Sequence, residues 1–232
     1  MAQNLSADRP IYGLSHIYHS DFLDEEPESI EWIAAKYLSE VRQVQPEGPY
    51  HLCGFSAGGL IAYEMARQLL DAGATIGSLT LIEPTLGKKH TAHQLESTLG
   101  ASNQDRLTLF LKLLARSPLS LRERTKYYFR LLTAQFYFLL KKPLPEELRW
   151  VGYLKSLGPA MRKFTYHPIN CSAILLYGYM NDENYKACSD CWNNLLMKGV
   201  KIQNLDDVKQ HDDFMLDHSL KKIAELIEMN IS

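Results

Sequence analysis

A chain of 232 residues is long enough for one large domain or two small ones, and at 46% hydrophobic and 22% charged it is too apolar to be disordered. Its formal charge of −2 leaves no electrostatic footprint for a nucleic-acid partner. No apolar run approaches the roughly 20 residues of a membrane span, and the first ten residues lack the apolar stretch of a secretory signal. A cytoplasmic protein without a membrane partner is therefore expected.

Residues 10–14, Pro-Ile-Tyr-Gly-Leu, read as a strand. Ser29 then stands as an N-cap, with Ile30, Ile33, Ala34, Tyr37, Leu38 and Val41 recurring as the buried stripe of a helix. That helix should stop before the turn signal Pro46-Glu-Gly48. Residues 50–53 are the next strand, a glycine-flanked turn follows, and a helix runs from about residue 59 to 70 with Gly73 as its stop. Residues 79–82 form another short apolar strand.

The rhythm then breaks. From about residue 88 to 162 only helical patterning is present, with Leu107, Phe110, Leu111, Leu114, Tyr127, Tyr128, Leu131, Phe136, Tyr137 and Leu140 as its main apolar residues. Strand and helix alternate again through a strand at 173–177, a helix around 187–197, a strand at 200–205 and a closing helix from about 217 to 228. This order predicts one α/β domain spanning residues 1–232. Its sheet is mostly parallel, and a helical segment is inserted at about 88–162.

Four cysteines and no secretory signal point to reduced thiols rather than a disulfide framework. Cys188 and Cys191 form a lone C-x-x-C within a helix, without the second ligand pair that zinc requires. They read as two half-buried helical thiols, and no metal site is expected.

The pattern that carries chemistry is Gly54-Phe-Ser-Ala-Gly58, set between a predicted strand and a predicted helix. A sharp strand-to-helix turn forces its central residue into a strained backbone and lifts the side chain above the sheet. The glycines on both sides are expected because a Cβ there would collide with the strand and the helix. The helix N-terminus below offers backbone N–H groups, that of Ala57 first, to a developing negative charge.

Ser56 needs a base, and in a nucleophile elbow of this kind the histidine follows the last strand. His211 lies there, after a short polar loop. His218, near the start of the closing helix beside Asp217, reads as a solvated helix-end residue, and the other six histidines come too early. A carboxylate that orients the imidazole has two candidates at strand ends. Glu83 follows the strand after the elbow helix, and Asp182 follows the strand at 173–177. Asp206, Asp207, Asp212 and Asp213 read as a solvated acidic loop.

The block Glu47-Gly-Pro-Tyr-His-Leu-Cys-Gly-Phe-Ser-Ala-Gly-Gly-Leu-Ile-Ala-Tyr-Glu-Met-Ala-Arg67 resembles the central block of type I thioesterase domains of nonribosomal peptide and polyketide synthetases. The resemblance extends upstream through residues 9–14 and 28–37. Downstream it takes in Tyr166-His-Pro168, Trp192, Leu195, Gly199, His211 and Met215. It implies an α/β-hydrolase fold in which the insertion is the lid. It also implies a reaction in which the serine takes an acyl or peptidyl chain from the phosphopantetheine thioester of a carrier protein, with no cofactor of the domain's own. Carried over by residue, Ser56 is the nucleophile, His211 the general base and acid, and Ala57 an oxyanion donor.

At the acid position the family mostly has Asp where this chain has Glu83, so Asp182 stays open beside it. The family also begins with a strand and a Gly-rich loop before the point where this chain starts, and that loop supplies a second oxyanion donor. Without one such donor about 10²–10³ in rate is lost in a well-studied protease. A catalytic thioesterase is therefore set against two alternatives: a non-catalytic domain that binds a carrier protein or acyl chain, and a general carboxylesterase.

Overall fold

The computed structural model describes residues 2–5, 10–14, 29–84, 126, 129, 130, 132–134, 136, 137, 139, 140, 142, 144–148, 157–178, 180, 182–209 and 211–231. The chain divides into two compact units, residues 1–15, 29–85 and 164–232 in one, and 16–28 with 86–163 in the other.

The first unit contains α1 (Ile30–Val44), β1 (Tyr50–Phe55), α2 (Ala57–Asp71), β2 (Ile76–Ile82), β3 (Ala173–Tyr177), α3 (Asp182–Leu195), β4 (Val200–Asn204) and α4 (Asp217–Ile231). The four strands form one parallel sheet in the order β1-β2-β3-β4. The inner strands β2 and β3 are mostly buried and read as short apolar runs, whereas the edge strands β1 and β4 are only partly buried and mix polar with apolar residues. Phe55, Ile82 and Leu176 fall on one register line, and a core of Ile82, Leu176, Leu205, Val208, Phe214, Ile223 and Ile227 gathers there with α4. Elsewhere α2 packs on β1 and β2, with α1 outside it.

Local chemistry sets the helix ends. Ser29 has extended backbone (φ −159°, ψ 167°) and its Oγ accepts the Trp32 N–H at 3.1 Å, while Ile30, Ile33, Ala34 and Leu38 are buried. At the other end of α2, Gly73 takes φ +77° and the N–H groups of Gly73 and Ala74 close on the carbonyls of Leu70 and Leu69. Glu64, 1% exposed on α2, is held in a fork by Arg67 Nε and Nη2 at 2.8 and 2.7 Å. Gln68 Nε2 donates both to Glu64 and to the Glu31 carbonyl, which ties α2 to α1. A buried carboxylate is tolerated because it is paired in this way.

Two expectations change. Residues 10–14 have no secondary structure, and Ile11, Tyr12 and Leu14 are exposed. An apolar run becomes a strand only where a neighbour completes its ladder, and none of the described strands pairs with it. The helix expected around 187–197 begins five residues earlier, at Asp182, because polar Asp-Glu-Asn can open a helix without apolar periodicity. Before α1, residues 2–4 form a single 3-10 turn.

In the second unit the described residues between 86 and 163 are helical or irregular, with no strand among them, as the patterning predicts. Ala134, Leu144 and Leu148 form a small buried cluster with Tyr137 against it. Leu107, Phe110, Leu111, Leu114, Tyr127, Tyr128 and Leu131 lie outside the described residues. None of the described helices is long and apolar enough to cross a membrane.

Candidate active site

Ser56 stands between the last residue of β1 and the first of α2, with φ 53° and ψ −118°. This backbone is normally left to glycine and costs a residue with a Cβ on the order of 1–3 kcal/mol. Two hydrogen bonds hold it: the Ser56 N–H donates to the Ile82 carbonyl at 2.8 Å, and the Gly59 N–H donates to the Ser56 carbonyl at 2.9 Å. Although Ser56 occupies the N-cap position of α2, its side chain makes no capping hydrogen bond. Ala57, the first residue of α2, presents one of the N–H groups that a helix leaves without an internal partner.

The glycine requirement is half as expected. A Cβ on Gly54 would lie 2.2 Å from the Gly58 carbonyl oxygen and 2.8 Å from the Gly59 nitrogen, so glycine is mandatory there. At Gly58 a Cβ would meet nothing within 4 Å, which corrects the expectation of a collision. The tight position is the next one: a Cβ on Gly59 would come within 3.2 Å of the Pro84 Cβ. Pro84 belongs to the segment after β2, so this constraint is tertiary, and the Gly-Gly pair at 58–59 was its only trace in the sequence.

Glu83 directly follows β2 and is half-buried, with φ +44°. Among the described residues, Ser56 and Glu83 are the only non-glycine positions with positive φ. They sit at the carboxyl ends of adjacent strands, since Phe55 pairs with Ile82. The Glu83 N–H donates to the Leu176 carbonyl at 2.7 Å. Asp182 opens α3, five residues beyond the end of β3, and its side chain lies outside the described residues.

His211 opens a 3-10 turn, His211–Met215, and its side chain also lies outside the described residues. The turn itself is well anchored. Phe214 is 1% exposed and its ring centroid lies 5.7 Å from that of Phe55, the residue before Ser56. The loop leading to His211 passes over the end of β3, where a Cβ on Gly178 would come within 2.8 Å of the Val208 carbonyl oxygen. The backbone carrying His211 is thus brought to the end of the sheet that carries Ser56. His218, by contrast, is 56% exposed and its Nε2 lies 3.6 Å from Asp207 Oδ2. The backbone of Asp207 and Lys222 hold the Asp207 carboxyl below its ordinary range. In the same loop Asp213 accepts the Lys209 N–H at 2.9 Å.

The cysteines do not compete as nucleophiles. All four are free. Burial pushes the Cys171 thiol up to about 11 and raises those of Cys188 and Cys191. Cys53 is exposed as a residue, yet desolvation of its sulfur pushes that thiol up to about 12. All four stay protonated at neutral pH, and the thiolate is the reactive form. The described residues hold no cluster of metal-binding side chains.

The family profile described as a thioesterase domain matches residues 2–134, more than half of the chain. The chain belongs to the thioesterase domain family. The thioesterase domain is 44% identical over 80 residues to a non-reducing polyketide synthase, crz7, of Cladonia metacorallifera, a stretch covering 34% of this chain and 4% of that protein. It is 33% identical over 121 residues to a dimodular nonribosomal peptide synthase of Bacillus subtilis, covering 52% of this chain and 5% of the relative. The chain therefore spans only a small fraction of the length of these relatives.

Among solved structures it is similar to the NocB thioesterase domain, seen as a covalent complex with a fluorophosphonate nocardicin G analog. That likeness has a TM-score of 0.56 at 19% identity over 90% of this chain and 78% of the other. It is also similar to the RedJ thioesterase of Streptomyces coelicolor, with a TM-score of 0.57 at 17% identity over 90% and 70% of the two chains. These likenesses show the fold, which is that of the α/β-hydrolases, as the sequence predicts.

Proposed function

We propose that this domain releases an acyl or peptidyl chain from the phosphopantetheine thioester of a carrier protein through an acyl-enzyme on Ser56. The observation that carries the proposal is the backbone of Ser56. A serine held at φ 53° between strand and helix, and not capping that helix, presents a hydroxyl at strain cost with no structural return. The family match supplies the reaction class, and the polyketide and peptide synthase relatives suggest a carrier-bound substrate.

In this reading His211 removes the Ser56 proton as Oγ attacks the thioester carbonyl, and the oxyanion forms against the Ala57 N–H at the head of α2. The tetrahedral intermediate collapses, the thiol leaves with the proton from His211, and water then cleaves the acyl-enzyme with the same residue as base. Glu83 is taken as the acid in preference to Asp182. It shares a positive-φ backbone with Ser56 at the neighbouring strand end, whereas Asp182 lies five residues beyond the end of β3. No cofactor of the domain's own enters these steps.

The test is hydrolysis of an octanoyl-N-acetylcysteamine thioester, followed by thiol release. The Ser56→Ala variant should lose at least about 10³ in kcat. Glu83→Gln should lose roughly 10²–10⁴, and Asp182→Asn should stay within about threefold of wild type. Turnover by Ser56→Ala at the wild-type rate would overturn the mechanism. A wild-type domain that binds the thioester without turning it over would favour the binding-module alternative, and a preference for oxygen esters would favour the carboxylesterase.

A further inference from the structure

The mechanism leaves unexplained how Glu83 keeps its backbone. A residue before proline is driven toward extended conformations, and a side chain with a Cβ is disfavoured at positive φ, yet Glu83 precedes Pro84 and has φ +44°. Such a conformation persists only where its surroundings over-determine it.

On the N-terminal side of this positive φ, the Glu83 N–H is fixed by the Leu176 carbonyl at 2.7 Å. After it, the Pro84 carbonyl accepts from the Tyr177 hydroxyl at 3.4 Å, and Tyr177 Oη in turn accepts from Trp192 Nε1 at 3.1 Å. Trp192 is fully buried on α3, and Tyr177, the last residue of β3, is 9% exposed. Burial raises the Tyr177 hydroxyl, so it keeps the proton it donates. Cys188, the first cysteine of the C-x-x-C, borders the same hydroxyl and Trp192, which gives that motif a packing role. From the opposite side Gly59 of α2 leaves just enough room for Pro84. At 3.4 Å the hydroxyl–carbonyl bond is long, so its contribution is modest.

We infer that Tyr177 and Trp192 are positioning residues that act through the Pro84 carbonyl to hold Glu83 in its left-handed conformation and so aim its carboxylate. The inference rests on Glu83 being the acid. Tyr177→Phe removes the donor and Trp192→Phe removes the group that orients it, in both cases without changing the acid itself.

The experiment is a double-mutant cycle read as the rate of Ser56 phosphonylation by an alkyl fluorophosphonate, followed by intact-mass spectrometry across probe concentrations. Tyr177→Phe should slow the saturated rate about tenfold, with the half-saturating concentration within about twofold of wild type. Trp192→Phe should give the same split with a smaller loss. In a Glu83→Gln background, Tyr177→Phe should add less than about twofold. An equal loss in both backgrounds, or none in the wild-type background, would overturn the positioning role while leaving Glu83 as the acid. A Glu83→Gln protein that labels at the wild-type rate, or a wild-type protein that does not label, would overturn the acid assignment and the positioning role with it. Should Tyr177→Phe fail to fold by circular dichroism, the Trp192→Phe cycle decides on the same outcomes.

Discussion

Helices α1 and α2 each begin at a serine, and the two serines are used in opposite ways. Ser29 has extended backbone, and its Oγ accepts the Trp32 N–H, so the hydroxyl is spent on closing the helix. Ser56 stands at the same position of α2 with φ 53°, and its hydroxyl does not cap. Residue type and helix position are shared; only the backbone differs. Ser29 is free to take the extended backbone that capping requires. At Ser56 the chain enters α2 directly from β1, pinned to the Ile82 carbonyl, and has no such freedom. The sheet, through the register of β1 against β2, thus decides which serine caps its helix and which does not.

The largest effect is expected at the glycines that let the chain turn at Ser56. Gly54→Ala would drive a methyl into the Gly58 carbonyl, and urea denaturation should show a loss of about 3 kcal/mol or failure to fold. Gly58→Ala meets no atom and replaces glycine in a helix, so it should gain about 0.5–1 kcal/mol. Equal effects at the two positions would mean that the turn is not set by the Gly54 contact.

A smaller effect separates the serines themselves. Ser29→Ala should cost about 1 kcal/mol of stability and leave thioester turnover unchanged. Ser56→Ala should change stability by less than about 0.5 kcal/mol, because no cap is lost, while turnover disappears. Paired unfolding and rate measurements check both, and a stability loss at Ser56 as large as that at Ser29 would mean its hydroxyl is a cap after all.

How far the sequence carried this picture depended on whether the cause was local. The Ser29 cap and the Gly73 stop were legible because each rests on residues within a few positions, and β2 and β3 because they are mostly buried and apolar. The run at 10–14 has the same apolar character as β2, yet it forms no strand, since a ladder needs a neighbour that no pattern within the run can guarantee. The elbow was legible as a motif, but its second tight glycine was misplaced by one residue because the atom it avoids belongs to Pro84. The left-handed backbone of Glu83 was invisible for the same reason: it is held by Leu176 and Tyr177, more than ninety residues away along the chain. The helix start at Asp182 was read five residues too late, because its first residues carry no apolar periodicity.

The most direct test of the contrast between the two serines is peptide mapping of the wild-type domain after reaction with an alkyl fluorophosphonate. The account predicts one adduct, on the peptide that carries Ser56, none on Ser29, and none in the Ser56→Ala protein. The absence of an adduct where a control serine hydrolase reacts, or an adduct that survives Ser56→Ala, would contradict it.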